Sequence, residues 1–288
     1  MRQEPTLGQL YQIYLPHAKS TKRSWQTEKY NFEANVPPAL LGIKASQLLR
    51  EDLVKLKERV AVEKGPMAAN RLLSVIQAMY AYGVEHGHIT CESPVQGIKK
   101  FPQKSRDRFL SGDELGRFLT ALEGEEDQLY KDFFYTCLLT GARKGNVLGM
   151  RWNELNLLDG VWSIPLTKNG DSQNVVLVPE LVEVLKTRKR QATSVFVFPG
   201  NGNAGHLVDP KKAWTRLLER AQISDLRIHD LRRTLGSWQA MLGTSLLVIG
   251  KSLGHKSSRA TEVYSRLNLD PVRESVNQAT SKILGFRK

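Results

Sequence analysis

The chain has 288 residues, 41% hydrophobic and 25% charged, with a mean hydropathy of −0.36. That composition excludes wholesale disorder and fibrous repeats, and no apolar run approaches the ~18 residues that span a bilayer. Cys91 and Cys137, the two cysteines, supply neither a disulfide framework nor a four-sulfur zinc site, so a cytoplasmic location is expected. Lys and Arg outnumber Asp and Glu by 42 to 29, a formal charge of +13. The excess is spread along the chain: 17 basic and 10 acidic side chains over residues 1–110, then 25 and 19 over the rest. A basic surface along the whole length points to a long polyanion, nucleic acid before acidic membrane.

In chain order, Leu7, Leu10, Ile13 and Tyr14 predict a first helix over Leu7–Leu15. A second is predicted over Lys44–Lys64, with Ser46 as N-cap and Leu48, Leu49, Leu53 and Leu56 on one stripe. Pro66 suits the first turn of a third, whose apolar face runs from Ala69 to Tyr80 until Gly83 or Gly87 ends it. Residues 99–109 are polar, basic, proline-containing and aperiodic, and read as a linker. The expected division is a helical domain over 1–100, a linker over 101–109 and a second domain over 110–288. The second domain opens with a capping box, Ser111 with Glu114, and continues in helices through Asp127–Gly141. Val161–Pro165 and Gln173–Val178 alternate and are β-branched around Lys168-Asn169-Gly170-Asp171, the pattern of a hairpin. From Lys211 onward the chain is helical again. The expected fold is mainly α with a small antiparallel sheet in the second domain.

Two motifs are decoys. Gly200-Asn-Gly-Asn-Ala-Gly205 has dinucleotide-loop spacing after the strand-like Val195–Phe198, but Pro199 and Pro210 break the strand–glycine–helix continuity, and no parallel βαβ unit surrounds it. His86-Gly-His88 is a pair at a helix end, more often solvated than metal-bound.

The chemistry lies in four short segments. Thr140-Gly-Ala-Arg143 sets an arginine on a turn after a helix. Lys168 sits in the hairpin turn. His229-Asp-Leu-Arg232 places a histidine and an arginine at i and i+3, an arrangement that makes sense around an anion. Leu253-Gly-His255 is followed nine residues later by Tyr264, the only tyrosine after Tyr135. Singly, each has an ordinary surface explanation. Together they are donor-rich, without a carboxylate pair for glycosidase or two-metal chemistry. Two arginines can bracket a phosphate, a tyrosine can attack it and a lysine can protonate the departing oxygen, without metal, ATP or cofactor.

In order and spacing, these boxes resemble the tyrosine recombinases, in particular phage and genomic-island integrases, over roughly residues 5–280. The stretch Ile249-Gly-Lys-Ser-Leu-Gly-His-Lys-Ser-Ser-Arg-Ala-Thr-Glu-Val-Tyr264 is especially similar. The resemblance implies that Arg143 and Arg232 clamp the scissile phosphate and His255 donates to it. It makes His229 the acid/base partner, Lys168 the general acid and Tyr264 the nucleophile of a 3′-phosphotyrosyl intermediate. It also implies a core-binding domain and a catalytic domain clamping double-stranded DNA, and homotetramers on DNA with the C-terminal helix, here Asp270–Leu284, passed to a neighbour. The expected role is integration or excision of a mobile element at attachment sites in the nucleoid, with accessory DNA-bending proteins as further partners and no membrane.

Two departures stand out. Asn146 occupies a position that is usually Glu or Asp, three residues after the first arginine. Only six residues precede the first helix, so the N-terminal arm-binding domain of many integrases is not expected within this chain. Two alternatives remain at this level: a type IB topoisomerase, which shares the chemistry but re-ligates the strand to itself, and a DNA-binding protein with a dead site.

Overall fold

The computed structural model describes residues 4–103, 106–165, 172–255, 257–267 and 270–286. The chain packs as two units, Met1–Ser105 and Arg106–Lys288.

The N-terminal unit is helical: α1 (Leu7–Thr21), α2 (Trp25–Glu33), α3 (Pro38–Leu41), α4 (Arg50–Lys64) and α5 (Pro66–Glu85). Helix α1 starts at a reciprocal cap, with the Thr6 N–H donating to Gln9 Oε1 (2.9 Å) and the Gln9 N–H to Thr6 Oγ1 (3.3 Å). Its apolar face, Leu7, Leu10 and Tyr14, is buried in one core with Phe32, Leu53, Val60, Leu72 and Ile76. The predicted second helix begins later than its pattern implied. Ser46 does not cap it, because its N–H and hydroxyl both donate to Glu4 (2.8 Å each), and the helix starts at Arg50. Gly83 does not end α5 either. It is buried inside the helix, where a Cβ would lie 2.9 Å from Leu10 Cδ1, and Gly87 takes the left-handed conformation beyond the end (φ +67°). Helix α2 has little apolar periodicity and escapes a pattern reading; Phe32, stacked on Tyr11 at 4.1 Å, ties it to α1.

The second unit runs α6 (Gly112–Glu123), α7 (Gln128–Thr140), α8 (Lys144–Leu148), β1 (Leu155–Asn156), β2 (Val161–Ile164), β3 (Gln173–Val176), α9 (Pro179–Arg190), α10 (Lys211–Ala221), α11 (Ile228–Met241) and α12 (Leu246–Leu253). Short 3₁₀ turns follow, then α13 (Asp270–Leu284). The capping box of α6 is formed as predicted, Ser111 N–H to Glu114 Oε2 (3.1 Å) and Glu114 N–H to Ser111 Oγ (3.4 Å). The strands make one antiparallel sheet in the order β1–β2–β3, with the buried Trp162 opposite the buried Val175. The predicted turn at Lys168–Asp171 lies outside the described residues. Val195–Phe198 forms no strand, only a bridge from Phe196 to Arg151. The glycine loop after it folds back on itself: a Cβ at Gly200 would lie 2.4 Å from the carbonyl oxygen of His206. Phe118, Phe133, Phe134, Trp162 and Phe198 centre the core. The fold is mainly α with a small antiparallel sheet, and no described helix is long and apolar enough to cross a membrane.

Candidate active site

The site forms where α7, α8, α11 and α12 meet the turn that carries Tyr264. Helix α7 ends at Gly141 in the left-handed conformation (φ +57°), and a Cβ there would lie 2.8 Å from Leu253 and 2.9 Å from Leu235. Both the backbone and the packing therefore require glycine. The turn releases Arg143 as the N-cap residue of α8, and the freed Gly141 carbonyl accepts a 2.8 Å hydrogen bond from Arg232 Nη1. The carbonyl thus anchors the second arginine beside the first.

Arg232 is 4% exposed. Burial first, then the Arg143 cation, pulls its pKa down to about 10, with Tyr264 opposing. Among the described residues neither arginine forms an ion pair, and Arg143 Nη1 is a buried donor without a hydrogen-bond partner. Asn146 Nδ2 is a second buried donor without one. An acid at position 146 would have lowered this positive charge; asparagine does not. Two adjacent guanidiniums with unspent donors form a site for a doubly acceptor-rich anion such as a phosphodiester.

Both histidines are held neutral near pH 7. Burial lowers the pKa of His229, with Arg233 and Arg232 reinforcing it and Asp230 opposing. Burial, then Arg232, Arg143 and His229, lowers His255 to about 4. The αL turn at Gly254 (φ +64°) delivers His255, whose Nδ1 lies 2.9 Å from Thr261 Oγ1. Strand β3 reaches the same turn: a Cβ on Gly254 would meet the Gln173 side chain at 2.2 Å.

Tyr264 sits in the 3₁₀ turn Glu262–Leu267 and is 4% exposed, packed with Ala240, Ile249 and Leu253. Its ring runs parallel to that of His255 (5°) at 6.4 Å between centroids. A Cβ at Gly236 on α11 would lie 2.6 Å from Tyr264 Cζ and 2.8 Å from its hydroxyl, so glycine makes the niche for the phenol tip. Burial raises the Tyr264 pKa, and Arg232 and Arg233 work against that rise.

Of the six residues singled out from the sequence, Arg143, His229, Arg232, His255 and Tyr264 come together, each close enough to perturb another's ionisation. Lys168 lies outside the described residues. Beside the cluster opens a cleft of about 590 Å³ lined by Arg143, Lys144, Asp209, Lys211, Arg227 and His229. Sequence reasoning missed Thr261, Gly236 and Asp230. The last stands between His229 and Arg232 in the motif itself, and its spacing was the one available signal.

The sequence profile of the phage integrase family matches residues 108–270. Among curated proteins, the shufflon-specific DNA recombinase of Escherichia coli is 31% identical over 182 residues, 62% of this chain and 45% of that protein. The integrase of Salmonella phage P22 is 26% identical over 222 residues, 73% and 56% of the two chains. This chain spans about half the length of such relatives. Among solved structures, the Tn1549 transposon integrase in complex with a circular intermediate DNA superposes with a TM-score of 0.78 at 15% identity, covering 95% of this chain and 99% of that one. A lambda integrase dimer bound to a core site gives 0.71 at 17% identity, covering 91% and 77%. With the profile spanning more than half of its residues and the fold shared almost end to end, the chain belongs to the phage integrase family, the tyrosine recombinases.

Proposed function

We propose that the chain is a site-specific DNA recombinase that cleaves and rejoins double-stranded DNA through a 3′-phosphotyrosyl intermediate. The observation that carries this reading is the pair of unneutralised arginines, the half-buried Arg143 with its buried, unpartnered Nη1 and the buried Arg232, beside a buried tyrosine and two neutral histidines. Bound between the guanidiniums, a scissile phosphate gains hydrogen bonds that strengthen as charge builds in the pentavalent transition state. The Tyr264 oxygen forms a bond to phosphorus while its proton passes to the neutral His229. The bond to the 5′-oxygen breaks, and Lys168 supplies the proton that the leaving oxygen takes. His255, steadied by Thr261, donates to a non-bridging oxygen. Re-ligation is the same path in reverse.

The partners in this reading are DNA attachment sites and three further copies of the chain, acting on nucleoid DNA in the cytoplasm to integrate or excise a mobile element. Exchange of α13 between copies is supported by its exposed Val276, Ile283 and Leu284. The test is recovery and sequencing of DNA covalently attached to Tyr264, followed by trapping on a duplex nicked next to the cleavage point. Wild type should accumulate the adduct. Tyr264→Phe should bind that duplex equally well and form none; an adduct in the Phe variant overturns the assignment of the nucleophile.

A further inference from the structure

Helix α11 carries two sets of side chains at helical spacing. His229, Arg232 and Gly236, at i, i+3 and i+7, serve the site. Asp230, Thr234 and Trp238, at i, i+4 and i+8, form another face, and all three bind one short segment, residues 106–110. Arg106 Nε donates to Asp230 Oδ2 (3.0 Å), the Leu110 N–H donates to Thr234 Oγ1 (3.0 Å), and Trp238 Nε1 donates to the Leu110 carbonyl (3.2 Å). The segment is therefore bonded to three successive turns of the helix that carries two of the five assembled site residues, His229 and Arg232.

Its firmest attachment is at the N-terminal end. Asp230 is fully buried and holds Arg106 on one oxygen and Arg233 (2.8 Å) on the other, while Oδ2 also caps the Arg227 N–H at 2.9 Å. Arg106 bridges onward to Asp225, through Nη1 to the carboxylate (2.9 Å) and through Nη2 to the main-chain carbonyl. The first turn of α11 is thus gripped from two directions, by Arg106 at Asp230 and by the Gly141 carbonyl at Arg232. His229 and Arg232 flank Asp230 in sequence, so any rotation of that turn moves both.

We propose that Arg106 is a positioning residue for the reaction: clamped to Asp230 and Asp225, it sets the rotation of the first turn of α11 and hence the placement of His229 and Arg232 on the phosphate. Arg106 itself lies before the stretch shared with the family profile, which starts at residue 108. The inference rests on the recombinase reading, since the effect is on that chemistry.

The experiment uses the full chain and the nicked duplex built from DNA recovered on the wild type. Dissociation constant and single-turnover adduct formation are measured separately. Arg106→Ala should bind within threefold of wild type yet form adduct at least tenfold more slowly, because a displaced donor weakens the transition state more than the ground state. Arg106→Lys, which keeps the charge but loses the fork, should fall between the two. Asp225→Asn is the variant that folds in any case: Asp225 is exposed, and asparagine tolerates its left-handed backbone (φ +48°). It should slow adduct formation threefold or more at unchanged affinity. Smaller falls in both Arg106→Ala and Asp225→Asn overturn the proposal, as does a fall matched by an equal loss of affinity. A wild-type chain that forms no adduct overturns the recombinase reading instead, so the two failures are distinguishable.

Discussion

The two units bury different things. Among the described residues, the N-terminal unit buries hydrophobic side chains and three asparagines, Asn31, Asn35 and Asn70, but no charge. The second unit buries Glu125, Asp132, Asp230 and Arg232. Three of these four are neutralised: Glu125 by Arg220 (2.7 Å), Asp132 by Arg188 (2.8 Å), and Asp230 by Arg106 and Arg233. Arg232 is the exception: among the described residues its one hydrogen-bond partner is a main-chain carbonyl, and it faces another arginine. An uncompensated buried cation opposes folding, since desolvation is not returned by a partner. The N-terminal unit thus carries no buried charge to offset, whereas the second holds a destabilising cation that a bound anion, as in the proposed function, would compensate.

Four experiments break or sharpen that contrast, and the largest effect is expected at Arg232 itself. Arg232→Met should abolish adduct formation, yet leave the thermal midpoint unchanged or higher, because a buried charge is replaced by a chain of similar volume. Arg188→Met should do the reverse, stranding the Asp132 carboxylate and lowering stability by about 3–5 kcal/mol with the site residues intact. Paired unfolding and trapping assays measure both, and a destabilised Arg232→Met would mean that its cation is compensated after all.

Next in size, Arg143→Ala should lower cleavage and re-ligation alike by about 10²–10³-fold, the loss typical of one preorganised donor, with little recovery in Arg143→Lys. In the proposed mechanism Lys168→Ala affects the leaving group alone. It should be slow on normal DNA and substantially rescued by a 5′-bridging phosphorothiolate, which departs without a proton. Equal rescue of both variants contradicts the division of roles.

A smaller effect is expected at Gly236. Alanine favours a helix interior by about 1 kcal/mol over glycine. The added methyl, however, would lie 2.6 Å from Tyr264 Cζ. Because the ring is packed on its other faces, displacement should win: Gly236→Ala should reduce adduct formation about tenfold, a barrier change of about 1.4 kcal/mol. Faster cleavage would show that the niche restrains the tyrosine rather than seating it.

The mildest is a pH effect. His255 has a folded pKa of about 4 against 6.5 unfolded, so the unfolded chain binds the extra proton first as pH falls. The stability tied to its neutral form is complete above pH 6.5 and is lost between pH 6.5 and 4. His229 shifts in the same direction and adds to the slope. Thermal midpoints across that window should fall with acidity, and less steeply in His255→Gln; identical slopes would remove His255 from the acid-sensitive set.

Local chemistry was legible in the sequence. The Ser111–Glu114 box and the two hairpin strands depend on neighbours within a few residues, and the family's motif order is itself a linear property. The start of α4 was not legible, because Ser46 is a good cap by type and is diverted by Glu4, forty-two residues away. Nor was Gly83, which reads as a helix stop until α1 is packed against it. The types and order of the candidate site residues are linear too. Their electrostatics are not: the acidic shift of His255, the lowered pKa of Arg232 and the raised pKa of Tyr264 arise from burial and from charges on other elements. The tertiary structure alone decides that Gly236 seats Tyr264, that the Gly141 carbonyl holds Arg232, and that Asp230 turns away from the site to grip Arg106. Each of these joins residues 28 to 124 positions apart, where no period or spacing rule reaches and only packing brings the atoms into range.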